Sequence, residues 1–231
     1  MSNVMEEWDK ILTVDSTYHV PAPLPMSLPY TLIGVMGKAR TGKDTVASYL
    51  TRNFEFDGME PWVKRYALAD RVKKVASEVF SVEYYDFFDA NVKELPQGHL
   101  RNESLTPRKL AQLVGTECFR AVFGGQVWIA SLHHEIVNSG YVGEAVVVPD
   151  IRFPEEVEWV AQQGGILVYL EREDAAEVSA HSSENLMSYS ETVLHMTPVQ
   201  TNWTSVHIEN DGTVEQLYNK IEKQVVPLLL K

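Results

Sequence analysis

The sequence predicts an α/β fold: a mostly parallel sheet with helices on both faces, stacked in three layers. Three observations predict it. Short, nearly all-apolar runs bounded by turn residues ("YTLIGVM", 30–36; "EAVVVPD", 144–150; "ILVYLE", 166–171) read as strands buried on both faces. Between them, apolar residues recur every three or four positions, the period of an amphipathic helix. The two patterns alternate from about residue 30 to the end, as parallel strands joined by crossover helices require. With 231 residues, 45% of them hydrophobic, the chain is long enough to bury one core of this kind.

Taken in order, residues 1–29 read as an N-terminal Pro-rich arm. "PAPLPMSLP" (21–29) has four prolines, which deny both helix and central strand. The domain proper spans 30–231. Its first strand, 30–36, runs into a glycine loop. "DTVASYLTRNF" (44–54) then sets Val46, Ala47 and Leu50 at helical spacing. "WVKRYAL" (62–68) predicts a second strand. "DRVKKVASEVF" (70–80) predicts a helix with Val72, Val75, Ala76, Val79 and Phe80 on one face and Asp70 capping its start. "TPRKLAQLVGTECFRAVF" (106–123) opens with Thr106 as N-cap and Pro107 at the first helical position. "QVWIASLHHEIVNSG" (126–140) is a further helix closed by Gly140. Strand 144–150 ends in Asp150. Helix 154–165, strand 166–171, strand 205–210 and helix 213–226 follow, the last with Thr213 and Gln216 as a capping box. Two long polar stretches break the alternation. Residues 81–105 have the length of a substrate-binding insert, and 173–204 that of a lid.

The net charge is −12 and the pI about 5.0. This argues against a nucleic-acid partner held by a broad basic face, so any anionic substrate must meet a local cluster of Lys and Arg. A single cysteine, Cys118, excludes an internal disulfide and reads as a small apolar residue. "MSNVMEEWDK" lacks the basic flank and apolar run of a signal peptide, and no apolar stretch approaches 18 residues. A soluble, cytoplasmic protein without a membrane partner is the expectation. His133 and His134 are adjacent in a helix, diverge by about 100°, and make a poor metal pair.

The chemistry centres on "GKARTGKDT" (37–45), which lies between a strand and a helix. Gly37 and Gly42 let the backbone of Ala39, Arg40 and Thr41 curl so that successive N–H groups face phosphate oxygens. The next helix aims its positive end at the same place. Lys43 offsets charge on the β- and γ-phosphates. This is the G-x-x-x-x-G-K loop of the P-loop NTPase fold, with the hydroxyl at Thr45 and Asp44 before it. Thr45 suits Mg²⁺ or a phosphate oxygen. Asp44 either holds a metal-bound water or places a favourable charge on the first helical turn. A second acid, Asp150, ends a strand in "VVVPDIRFPEE" (146–156), where ligands of open parallel sheets sit. It can hold Mg²⁺ through water or orient an acceptor, or else cap a helix and pair with Arg152. Arg152 suits a bidentate grip on phosphate.

The series G-x-x-x-x-G-K-D-T, "ALADRVK" (67–73), "RKLAQLVGTECFR" (108–120), "VWI" (127–129), "DIRFPEE" (150–156), "HSSE" (181–184) and "ENDGTVEQL" (209–217) resembles the deoxynucleoside monophosphate kinases of tailed phages. The spacing G-K-x-T is familiar among nucleoside monophosphate kinases in general. The resemblance implies ATP as phosphate donor, Mg²⁺, a deoxynucleoside monophosphate as acceptor and, if phage-encoded, the host cytoplasm; it also suggests a homodimer. It implies that Gly37, Gly42, Lys43, Asp44 and Thr45 bind the triphosphate, with Asn210, Asp211 and Gly212 near the donor base. Lys73, Arg108, Gln112, Arg120 and Trp128 would contact the acceptor, with Gln112 reading the base. Asp150 and Arg152 would lie between the substrates, and Arg172 would act from the lid side. Arg71 stands where the family often carries Pro, and reads as an extra phosphate contact. Two rivals remain: a kinase for a hydroxymethyl pyrimidine, as nucleotide or in DNA, and a nucleotide-binding switch. The switch lacks an N-K-x-D base-reading motif.

Overall fold

The structure, a computed structural model, describes residues 28–53, 62–100, 104–141, 143–173, 188, 190–192 and 202–230. The predicted arm up to residue 27, most of the predicted lid-like segment and the "HSSE" motif lie outside them.

Five strands form one sheet: β1 (Thr31–Gly37), β2 (Val63–Arg65), β3 (Ala145–Ile151), β4 (Ile166–Glu171) and β5 (Thr204–Glu209). Their order is β2-β3-β1-β4-β5, and every pairing is parallel. β1 is central, with Thr31 opposite Ala145 of β3 and Ile33 opposite Ile166 of β4. Side chains alternate across it. Leu32 and Met36 enter one core, while Ile33 and Val35 enter the other. The second core is closed by α1 (Lys43–Asn53), α6 (Val214–Gln224) and the short α7 (Val226–Leu229), through Val46, Leu50, Leu217, Ile221 and Val226. The first core is closed by α2 (Leu68–Phe80), α3 (Pro107–Gln112), α4 (Val127–Asn138) and α5 (Pro154–Gln162), through Ala76, Leu110, Leu132, Ile136 and Val157. These are the three predicted layers. Among the described residues no helix is long and apolar enough to cross a membrane.

Three elements depart from expectation. β2 stops at Arg65, because α2 begins two residues before the predicted cap Asp70. Asp70 sits instead in the first turn of α2. The predicted helix 106–123 is continuous, but between α3 and a last α turn (Ala121–Phe123) it widens into a π-helical stretch, Leu113–Arg120. Such widening is rare and often marks functional positions. The polar stretch after α2 contains two 3₁₀ turns, Tyr84–Phe87 and Gly98–Leu100. The N-caps Thr106 and Thr213 stand as predicted, with Gln216 completing the second.

The chain winds from β1 through α1 to β2 and β3 on one side of the sheet and returns past β1 to β4 and β5 on the other. The winding reverses at β1, so the crevice that suits a ligand opens at its carboxyl end. The glycine loop leaves β1 there.

Candidate active site

The loop after β1 is built from its own backbone. Gly37 has φ 153° and Gly42 φ 102°. A methyl group on Gly37 would lie 2.5 Å from the Leu170 carbonyl oxygen, and one on Gly42 would lie 2.8 Å from the Asn210 amide. Both positions therefore require glycine for space as well as conformation. Arg40 takes φ 66° at the exposed tip. Thr41 is buried, and its hydroxyl donates to the Lys38 carbonyl at 2.9 Å. The ammonium of Lys43 donates to the carbonyls of Gly37 (2.7 Å) and Lys38 (2.6 Å), which holds the cation across the loop. Asn210 is buried beneath it, its amide donating to Thr41 O at 2.8 Å. It braces the loop from below. Asp211 accepts from Glu173 N at 2.8 Å and joins the ends of β4 and β5. Gly212 lies in the exposed turn before α6, and Arg172 is exposed just after β4.

Beside the loop is a cavity of about 450 Å³, within the range of small-ligand sites. Asp44, from the first turn of α1, lines it together with residues of α2, the widened helix, β3 and the segment after β3. Lys73, Arg108, Gln112, Arg120, Trp128, Asp150 and Arg152, all predicted, are brought to this one cavity. Gln112, Thr116 and Arg120 lie four residues apart, a spacing that a turn wider than 3.6 residues brings nearer to one line. The Trp128 indole N–H donates to Gly115 O at 2.8 Å and ties α4 to the same wall.

Five cationic side chains line the cavity (Lys73, Lys93, Arg108, Arg120, Arg152) against three acidic ones (Asp44, Asp150, Glu156). This is the local positive cluster that a chain of net charge −12 needs if it is to meet an anion. Lys73 lies 3.6 Å from Asp70 and 3.8 Å from the centre of the Phe88 ring. Burial lowers its pKa, opposed by Asp70 and Asp150. Asp70 also pairs with Arg65 at 3.1 Å, and Arg65 reaches Asp44 at 3.8 Å. A ladder of alternating charge thus runs from the loop helix to the cavity. Arg108 pairs with Glu94 at the rim.

Asp150 has a different local job from a helix cap on its own side of the chain. Its two oxygens accept from Leu68 N (3.1 Å) and Ala69 N (2.7 Å), so it caps α2 from 81 residues away. Burial raises its pKa, while those two amides and Arg152 pull it back. Beneath the cavity lies Glu156, which is 3% exposed. Its carboxylate accepts from Arg152 N (2.7 Å), Phe153 N (3.0 Å) and the Arg120 guanidinium (3.1 Å). Burial pushes its pKa up to about 7 despite these donors. Glu156, Phe153, Phe87, Lys93 and Arg65 were not picked out from the sequence. Only Glu156 carried a signal: an acid three positions after a helix N-cap and two after Pro154.

Arg71 does not join the cavity. One residue from Val72 it points about 100° away, to α4, where it bonds Ser131 (3.0 Å) and pairs with Glu135 (3.2 Å). It lines a separate recess. The extra phosphate contact read from the sequence is thus replaced by a helix-to-helix tie. Arg71→Met is expected to leave ligand affinity of the cavity within about twofold and to cost only about 1 kcal/mol of stability. Ligand titrations and melting curves check this.

The family model described as Deoxynucleotide monophosphate kinase matches residues 81–221. The chain belongs to this family. It is 27% identical over 206 residues to a putative deoxynucleotide monophosphate kinase of Acanthamoeba polyphaga mimivirus, an alignment covering 82% of this chain and 93% of that one. It is 26% identical over 125 residues to the deoxynucleotide monophosphate kinase of Escherichia phage RB69, covering 53% of this chain and 46% of the other. A sugar kinase from Janibacter sp. HTCC2649 aligns with 87% of this chain and 98% of its own at a TM-score of 0.35 and 13% identity, too remote to bear on the reaction. The protein is therefore a nucleotide kinase, a phosphotransferase using a nucleotide phosphate donor. Family membership agrees with the resemblance read from the motifs. The kinase places its glycine loop and its cationic cavity side by side, as transfer between two anions demands.

Proposed function

We propose that this kinase transfers the γ-phosphoryl group of ATP, in a Mg²⁺-dependent reaction, to the 5′-phosphate of a deoxynucleoside monophosphate, giving the diphosphate for DNA precursor synthesis. One observation carries this reading: a loop suited to a triphosphate adjoins a cavity of mononucleotide size lined by five cations. The donor triphosphate belongs on the 37–45 loop, against its N–H groups and Lys43. The acceptor belongs in the cavity, its phosphate toward Lys73 and Arg152 and its base toward Gln112 and Trp128. An acceptor phosphate oxygen attacks the γ-phosphorus. The bond from that phosphorus to the β–γ bridging oxygen breaks, and ADP departs with the electron pair. The acceptor oxygen is already ionised, so catalysis is positioning and charge stabilisation rather than proton abstraction.

The donor set fits Mg²⁺, which takes one or two protein oxygens and completes its shell with phosphates and water. Asp44 is largely exposed on the first turn of α1, and Thr45 follows it. Asp150 has each oxygen engaged by an amide, so Thr45 and Asp44 are the better ligands. Bound there, the ion supplies positive charge to the β- and γ-oxygens.

Coupled ADP release with ATP and Mg²⁺, with each deoxynucleoside monophosphate and the 5-hydroxymethyl forms in turn, tests the reading. Acceptor-dependent turnover with one or more unmodified monophosphates is expected. Turnover confined to a hydroxymethyl form, or ATP binding without acceptor-dependent turnover, overturns it.

A further inference from the structure

The carboxylate of Glu156 is buried below the acceptor cavity and joins two of its arginines. Oε2 takes the backbone N–H groups of Arg152 and Phe153, and so sets the turn by which Arg152 leaves β3. Oε1 takes the guanidinium of Arg120, which arrives from the widened helix. Arg120 is further held by Glu155, and its guanidinium carbon stacks 3.6 Å from the centre of the Phe153 ring. The side chain of Arg120 is only 10% exposed. Gly125 leaves the room this arrangement needs, since a methyl group there would lie 1.7 Å from the Glu155 carboxylate. The charged groups that act on Glu156 are Arg120, Asp150 and, across Arg120, Glu155, while Arg152 reaches it through its backbone N–H.

A surface ion pair contributes little, but this one is enclosed, and a long Arg side chain otherwise loses its orientation. Holding such a side chain in place before substrate arrives removes that ordering cost from binding. We propose that Glu156 is a positioning residue for the acceptor: its carboxylate fixes the guanidinium of Arg120 in the cavity, while its second oxygen fixes the turn at Arg152. It touches neither substrate. The inference rests on the proposed acceptor site.

A double-mutant cycle over Glu156 and Arg120 tests it. Gln at 156 keeps a carbonyl oxygen for the two backbone amides and turns an NH₂, which cannot accept, toward Arg120. E156Q is expected to raise the acceptor KM about tenfold or more, with the ATP KM within about twofold and the melting temperature within a few degrees. R120M is expected to raise the acceptor KM at least as much. The double variant is expected to match R120M alone, because the two residues act as one unit. Effects that multiply in the double variant, or an acceptor KM unchanged in E156Q, overturn the proposal. Should E156Q not purify folded, E156D, which keeps the charge on a shorter arm, takes its place in the same cycle with the same criteria. Wild-type turnover with a monophosphate acceptor separately decides the underlying reading, so the two failures are distinguishable.

Discussion

Lys43→Ala is expected to lower kcat for phosphoryl transfer about a thousandfold, roughly 4 kcal/mol, while the fold stays in place. The expectation follows from where the ammonium sits. It bridges the carbonyls of Gly37 and Lys38 at 2.7 and 2.6 Å, across the mouth of a loop whose backbone faces the proposed triphosphate. A cation fixed there meets charge as it moves onto the β–γ bridging oxygen, and no backbone N–H replaces it. Its structural contribution is small by comparison. Each of those two bonds lies at or near the solvent edge and is worth about 1 kcal/mol, so a melting shift of only a few degrees is expected. Steady-state kinetics with saturating ATP and acceptor, beside a melting curve, separate the two effects. Near-normal kcat in a folded Lys43→Ala protein would falsify the assignment of the loop.

Much of this site was legible in the sequence because its signals are local. The glycines of 37–45 sit between strand and helix, and both are required where they stand. Thr106–Pro107 and Thr213–Gln216 are capping patterns that need no tertiary partner. The cavity residues Lys73, Arg108, Gln112, Arg120 and Trp128 came from the family resemblance and not from spacing, and the structure brings them to one wall. What was missed is nonlocal. Asp70 has the composition of a cap, yet the amides of Leu68 and Ala69 are taken by a carboxylate from another strand. Freed from capping, Asp70 joins Arg65 and Lys73. No helical periodicity announces a π-helical stretch, and its wider turn is what carries Gln112, Thr116 and Arg120 along the cavity. Arg71 differs from Val72 by a single step round α2, and a one-residue step decides which helix a side chain meets. Glu156 was visible only as one acid in "PEE"; its three hydrogen bonds depend on a helix more than thirty residues earlier and on the turn after β3.

Asp150→Ala is expected to cost both stability and activity, and Asp150→Asn to separate them. In the wild type each carboxylate oxygen accepts one amide at the start of α2, and those amides have no other partner in their own turn. Alanine leaves two partly buried amides without this acceptor, worth about 1–3 kcal/mol together, or roughly 2–12 °C in a chain of this size. The damage is transmitted to the site, because α2 carries Leu68, Ala69, Val72 and Lys73 into the cavity. A fall of about a hundredfold in kcat/KM for the acceptor is expected from misplacement on that scale. Asparagine keeps one acceptor oxygen and turns an NH₂ toward the other amide, so it retains part of the cap and none of the charge. If Asp150 serves only as a cap, Asp150→Asn will lie between wild type and Asp150→Ala in both melting temperature and kcat/KM. If the charge also acts on the substrates, Asp150→Asn will recover stability while its kcat/KM stays near that of Asp150→Ala. The second outcome is the expected one, since Asp150 is the acid nearest in sequence to Arg152 in a cavity whose other lining acids are Asp44 on the loop helix and Glu156 beneath. A neutral residue there removes a negative charge that acts on Arg152 before the acceptor binds.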